Sequence, residues 1–126
     1  MAIYALDRMT KTTETDAQYE LAADFDAEAF FKNYFGVFIG EEIPTQRIVL
    51  RAYYNMSNLL RTLPLHHSQK EMSKTDTYTD FEYHLAPTFD FRQAILKEGN
   101  ELEVVEPLSL RNMIHDELVE ALKKYE

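Results

Sequence analysis

Cysteine and tryptophan are both absent from the 126 residues. Without thiols there is no disulfide framework, no thiol nucleophile and no Cys-based zinc site. Cysteine-free chains fit a reducing compartment, and a cytoplasmic location is the expectation. Glycine is scarce: Gly36, Gly40 and Gly99 are the three present. None lies in a GxGxxG or GK[ST] pattern, so no glycine-rich phosphate loop is encoded. The opening residues MAIYALDRM lack the apolar core of about 7–15 residues that a secretory signal needs. No apolar run approaches the ~20 residues of a membrane-spanning helix, so no membrane partner is expected. Basic residues are also in deficit, 13 Lys and Arg against 22 Asp and Glu, for a net charge of −9. Duplex DNA is held largely through its phosphates by clustered Lys and Arg. The chain by itself is therefore expected to bind DNA poorly, and its acidic surface reads most simply as a solvated face.

Hydrophobic residues make up 45% of the chain, with eight Phe and eight Tyr, enough for one compact domain without metal or disulfide support. The residues IYALDR at 3–8 alternate well enough for one short strand. The following polar, Thr-rich stretch reads as a linker, and its composition at 10–24 suits a hinge. DAEAFFKNYFG predicts a helix from Asp26, which caps it, to Gly36, which stops it. Phe30, Phe31, Tyr34 and Phe35 would share one apolar face of that helix, as core or docking surface.

From Arg47 the pattern changes. RIVLRAYY predicts a strand. Asn55 caps a short helix MSNLLRTL that Pro64 ends. LHHSQKEM predicts a second strand and TYTDFEYHLA its hairpin partner, half-buried by the alternation of Tyr78, Asp80, Glu82 and His84 against Thr79, Phe81, Tyr83 and Leu85. TFDFRQAILKEG predicts a helix capped by Thr88 or Asp90 and ended by Gly99. ELEVVEP predicts a last strand, and Pro107 opens a final helix striped by Leu110, Ile114, Leu118 and Leu122, widened by Met113 and Ala121. The expected class is α+β: a ferredoxin-like βαββαβ two-layer sandwich with an N-terminal strand, linker and helix and a C-terminal helix. One face of its sheet would be left for a partner.

Enzyme chemistry finds little footing. Ser68 beside His67 would diverge on a strand, and there is no G-x-S-x-G turn. Asp80 and Glu82 could share a strand face, but nothing gives either a raised pKa. His66 and His67, as strand neighbours, would face opposite ways and could not chelate one metal together. Zinc wants three or four ligands, and no spacing supplies them. No catalytic residue, metal or cofactor is expected. Tyr53, Tyr54, Tyr78 and Tyr83 could stack on bases, as tyrosines of RNA-binding sheets do, but the glycine-aromatic pattern of such sheets is missing, and packing explains them more simply.

Several pieces in order carry a family resemblance: IYALDRM, then FFKNYFGVFIGEEIPTQRIVLRA, LPLHHSQ, the helix and strand ILKEGNELEVVEPLSLR, and the closing KKYE. The chain resembles the C-terminal part of bacterial WYL-domain transcriptional regulators: the last WYL strand followed by the C-terminal extension. On that resemblance residues 1–25 are the remnant of the WYL barrel strand plus linker, and 26–126 are the extension-like domain. The Trp-Tyr-Leu tripeptide itself is not in the sequence, nor is a winged helix. The resemblance implies a non-catalytic regulatory and dimerisation module. It would couple effector sensing to DNA binding, with DNA contacted only through an N-terminal winged helix. The implied partners are a second copy in a homodimer, the WYL barrel of the same or partner chain, and a small effector or nucleic-acid ligand. The resemblance also singles out His67, Ser68 and Gln69, near Arg51 and Arg61, as donors and acceptors for a phosphate, a nucleotide or the barrel. The simpler reading of these residues is that they satisfy local hydrogen bonds. The alternative function is a free-standing ferredoxin-like binder of a small effector or nucleotide.

Overall fold

In the computed structural model, residues 6–20, 22–39 and 42–126 are described. Eight-residue strand β1 (Gln46–Tyr53) is followed by α1 (Met56–Thr62), β2 (Lys70–Lys74), β3 (Tyr78–Leu85), α2 (Phe89–Lys97), β4 (Leu102–Glu106) and α3 (Leu108–Leu122). The strands form one sheet in the order β2-β3-β1-β4, antiparallel throughout. This is the split βαβ order of a ferredoxin-like sandwich. The fold is thus α+β, with the element order that the sequence pattern predicts.

The alternation in β1 and β3 dictates the layering. Ile48, Leu50 and Ala52 of β1 and Phe81, Tyr83 and Leu85 of β3 are buried on one face, together with Leu102 and Val104 of β4. Met56 and Leu60 of α1, Phe91 and Ile95 of α2, and Leu110 and Ile114 of α3 join the same cluster. The helices therefore cover one face of the sheet. Burying side chains of this size contributes about 1.5–3 kcal/mol each, before the entropy of ordering them is set against it. Strand β2 differs from the rest. All five residues of KEMSK are exposed, and its pairing with β3 shifts register between Glu71 and Ser73.

Three expectations need correction. Leu6–Arg8, expected as the end of a strand, is a single exposed 3-10 turn; residues 3–5 lie outside the described residues. A short strand with no partner has nothing to hold it. The helix expected over 26–36 spans Ala27–Phe31, capped as predicted by Asp26, which accepts from Ala29 N at 3.1 Å. It stops early because the chain turns to dock on the domain: Tyr34 bridges Ala86, Ala86 N donates to Asn33 O at 2.9 Å, and Phe35 meets Phe91 with ring centroids 5.5 Å apart. The strand expected over LHHSQKEM begins only at Lys70. Residues 64–69 are a turn, fixed by the long-range bonds described below. No helix among the described residues is long and apolar enough to cross a membrane.

Candidate functional site

The turn that replaces the expected strand start is where the histidines act. On a strand His66 and His67 would diverge. In the turn they converge, with ring centroids 4.1 Å apart. Both Nε2 atoms approach one acceptor, the backbone carbonyl of Lys32, at 3.1 Å from His66 and 2.6 Å from His67. Lys32 ends the short N-terminal helix, so this clamp ties the arm at 32–38 to the domain. A second tie lies a few residues on. Asp90, expected as a cap of its own helix, instead accepts from Val37 N at 2.7 Å and Phe38 N at 3.0 Å. Thr88 takes the N-cap position. Gly36 makes the approach possible: it sits at φ +72°, and a Cβ there would lie 2.2 Å from Asp90 Oδ2.

Ser68 and Gln69 brace this turn from within. Ser68 Oγ accepts from His84 N at 3.0 Å and lies 2.8 Å from His66 Nδ1. Gln69 Oε1 accepts from Leu65 N at 3.1 Å and from the Tyr83 hydroxyl at 2.8 Å, while its Nε2 donates to Leu60 O at 2.7 Å. The local-satisfaction reading describes both residues. The Tyr83 hydroxyl is buried, and desolvation pushes its pKa well above the ordinary phenol value.

Arg51 and Arg61 lie on opposite faces of the sheet, and neither side chain bonds a residue of the turn. Arg51 lies on the outer sheet face, where it grips Asp80 with two bonds of 2.8 and 3.0 Å and covers the Tyr78 ring at 3.8 Å. Arg61 lies on the helix side, bonded to Glu71 at 2.8 and 3.0 Å and to the hydroxyl of buried Thr79 at 3.2 Å. Residues 79 and 80 point to opposite faces of β3, and each arginine follows its partner. Arg61 lines a depression of about 370 Å³ with Tyr54, Ser57, Lys74, Thr77 and Tyr78. Tyr54, a non-glycine residue at φ +50°, stands 75% exposed at that depression. Of the four tyrosines only Tyr83 stands apart, in the core; Tyr53 meets Tyr78 with centroids 6.1 Å apart and Tyr54 at 6.4 Å.

The outer face expected to be left for a partner is laced by its own charges. Arg47 donates to Glu82 at 2.5 Å and also bonds Glu106. His84 lies 3.2 Å from Glu82. The Tyr53 hydroxyl donates to Glu103 at 2.6 Å and Arg111 to Glu103 at 2.5 Å. Beneath this lattice Val49 is only 5% exposed. The bond from Arg51 holds Asp80 below its usual carboxylate range, the bond from Arg47 does the same to Glu82, and the Tyr53 hydroxyl and then Arg111 do so to Glu103. These carboxylates are thus committed anions, poorly suited to donating a proton. Among the described residues no group of three or more His, Asp or Glu side chains is placed to hold a metal ion.

No protein-family model matches the chain, and no curated protein sequence matches it.

The sequence pattern missed the Lys32 carbonyl and gave Gly36 and Asp90 other roles, a helix stop and a helix cap. A backbone carbonyl leaves no trace in a pattern of side chains. Gly36 did leave one, since a glycine closing an aromatic helix marks a left-handed position.

Proposed function

We propose that this chain is a non-catalytic regulatory and dimerisation module of the kind that forms the C-terminal extension of WYL-type transcriptional regulators, working in the bacterial cytoplasm. In this reading it couples effector sensing by a WYL barrel to DNA binding by a winged helix. The observation that carries the assembly role is the divided stripe of α3. Leu110 and Ile114 are buried in the core, but the stripe continues through Leu118 and Leu122, which are 48% and 58% exposed, with Met113 beside them. A helix whose apolar stripe outruns its own core has a face suited to a second copy. The docked arm supports the coupling role, because a segment N-terminal to the domain is tied to it at Lys32, Asn33, Val37 and Phe38.

The test is the molar mass in solution. Size-exclusion chromatography with light scattering is expected to show a concentration-dependent dimer. Replacing Leu118→Glu and Leu122→Glu together is expected to give a monomer with an unchanged melting temperature. A wild-type chain that stays monomeric at high concentration removes the assembly role.

A second reading, a small-effector or nucleotide binder, is favoured by the depression beside Arg61 and Tyr54. It draws on Arg61 alone, since Arg51, His67 and Gln69 lie elsewhere. Nucleotides that raise the melting temperature of the wild type should fail to do so with Arg61→Ala. A nucleotide panel that leaves the wild-type melting temperature unmoved ends this reading.

A further inference from the structure

We propose that the two-histidine clamp on the Lys32 carbonyl is an acid-sensitive release for the N-terminal arm, with His66 as the titrating group. The tautomer of His66 is fixed by its surroundings. Its Nδ1 faces the backbone N–H of Ser68 at 3.2 Å and Ser68 Oγ at 2.8 Å. A backbone N–H can only donate, so Nδ1 must offer its lone pair. The ring proton therefore sits on Nε2, the atom that reaches the Lys32 carbonyl at 3.1 Å. The clamp is closed by a neutral His66. A second proton could enter only at Nδ1, where it would displace the Ser68 N–H and have as its acceptor only Ser68 Oγ, which already accepts from His84 N.

The surroundings oppose that proton further. His67 stacks against His66 at 4.1 Å, and two imidazolium rings at that distance repel. From the arm, the backbones of Lys32 and Tyr34 face the ring and favour the proton, against burial and the His67 charge. From β3, His84 approaches the same turn through its N–H to Ser68; the carboxylate of Glu82, on the outer face, lies against His84. Among the described residues no carboxylate is hydrogen-bonded to His66. Burial is the largest of the effects that hold the imidazole below its ordinary value.

The sign follows by linkage. The closed clamp binds fewer protons than the open one, whose His66 titrates near the ordinary value of about 6.5. Closure is therefore fully favoured above that value. It weakens as pH falls through it towards the lower value of the closed state. Ties of the arm elsewhere, at Ala86 and Asp90, would then stand without the clamp. Titration of the clamp does not depend on what precedes the arm. Its use as a switch rests on the regulatory reading above.

Amide exchange of the full chain, read residue by residue by NMR and corrected for intrinsic rate, is the test. The amides to follow are Val37, Phe38 and Ala86, compared between about pH 7.5 and about pH 5.5. That window lies above the ordinary carboxylate range and across the imidazole one. Protection of these three amides is expected to fall several-fold, up to about tenfold, while β1 amides such as Leu50 keep theirs. His66→Gln, which can still donate to the carbonyl but cannot titrate, should make arm protection independent of pH. Equal wild-type protection at both pH values overturns the proposal, and so does a loss that survives in His66→Gln. Should that variant fail to fold, the wild-type His66 ring nitrogens and the arm amides can be titrated directly. A shared midpoint supports the clamp and separate midpoints overturn it. Light scattering at the same two pH values keeps the readings apart, because a monomer with an acid-released arm would retain the clamp while removing the assembly role.

Discussion

Gly36 shows how much one residue can carry. It has to reach φ +72° and let a carboxylate approach where a Cβ would stand. Alanine there would meet Asp90 at 2.2 Å and a strained backbone as well. The bonds from Val37 and Phe38 to Asp90 would break or stretch to relieve the clash. Gly36→Ala is expected to cost about 1–3 kcal/mol of stability, measured by urea unfolding, with exchange at Phe38 accelerated. A loss below about 0.5 kcal/mol, within the range of neutral surface changes, would contradict this account. His66 and His67 teach a related lesson. The sequence reads residues 65–69 as the start of a strand, and bonds from Lys32, Tyr83 and His84 help to make them a turn. Those partners lie 14 to 35 residues away, beyond any local pattern.

Among the elements, β1, β3 and β4 and the helices that follow β3 and β4 were legible because alternation, only partial in β1, and helical spacing serve the same core. Where an element's partner was a different part of the chain, the pattern misled. The N-terminal helix ends at Phe31 because Tyr34 and Phe35 leave it to dock on the domain. The outer sheet face, bare of helices, reads from the sequence as available to a partner. Cross-strand pairing sets Arg51 against Asp80 and Glu103, and that pairing turns the face into a lattice. The Arg51–Asp80 pair offers a direct check. Its side chains are 26% and 14% exposed, so solvent screens it only in part. Arg51→Ala should cost about 1–2 kcal/mol near neutral pH. Asp80 is held low by Arg51, so its contribution is present above the ordinary carboxylate value and is lost as pH falls through the folded one. The gap between wild type and variant in urea unfolding should therefore narrow towards about pH 3. A gap that widens on acidification would mean the pair contributes by another route.

For the whole molecule, the candidate binding residues do not form one site. Arg51, Arg61 and the His67–Ser68–Gln69 turn occupy three places, and each is engaged by neighbours. Nothing in the sequence could have separated the two arginines, since their faces depend on which strand neighbour each one meets. Charge is the property that sequence alone fixes at this scale. With a net charge of −9 and its outer-face arginines paired to carboxylates, the chain should give no shift of duplex DNA in a mobility assay even at low salt. A salt-sensitive shift would show a basic surface that the fold as described does not present.

Strand β2 has a consequence for how the molecule meets its own kind. An unprotected outermost strand is a template on which further chains can hydrogen-bond, and sheets that grow this way become fibrils. Here that border is short, wet on every side chain, flanked by Lys70 and Lys74, and broken in register at its middle. Such a border discourages edge-on growth. That protection belongs to the β2 side of the sheet; β4 forms its other border.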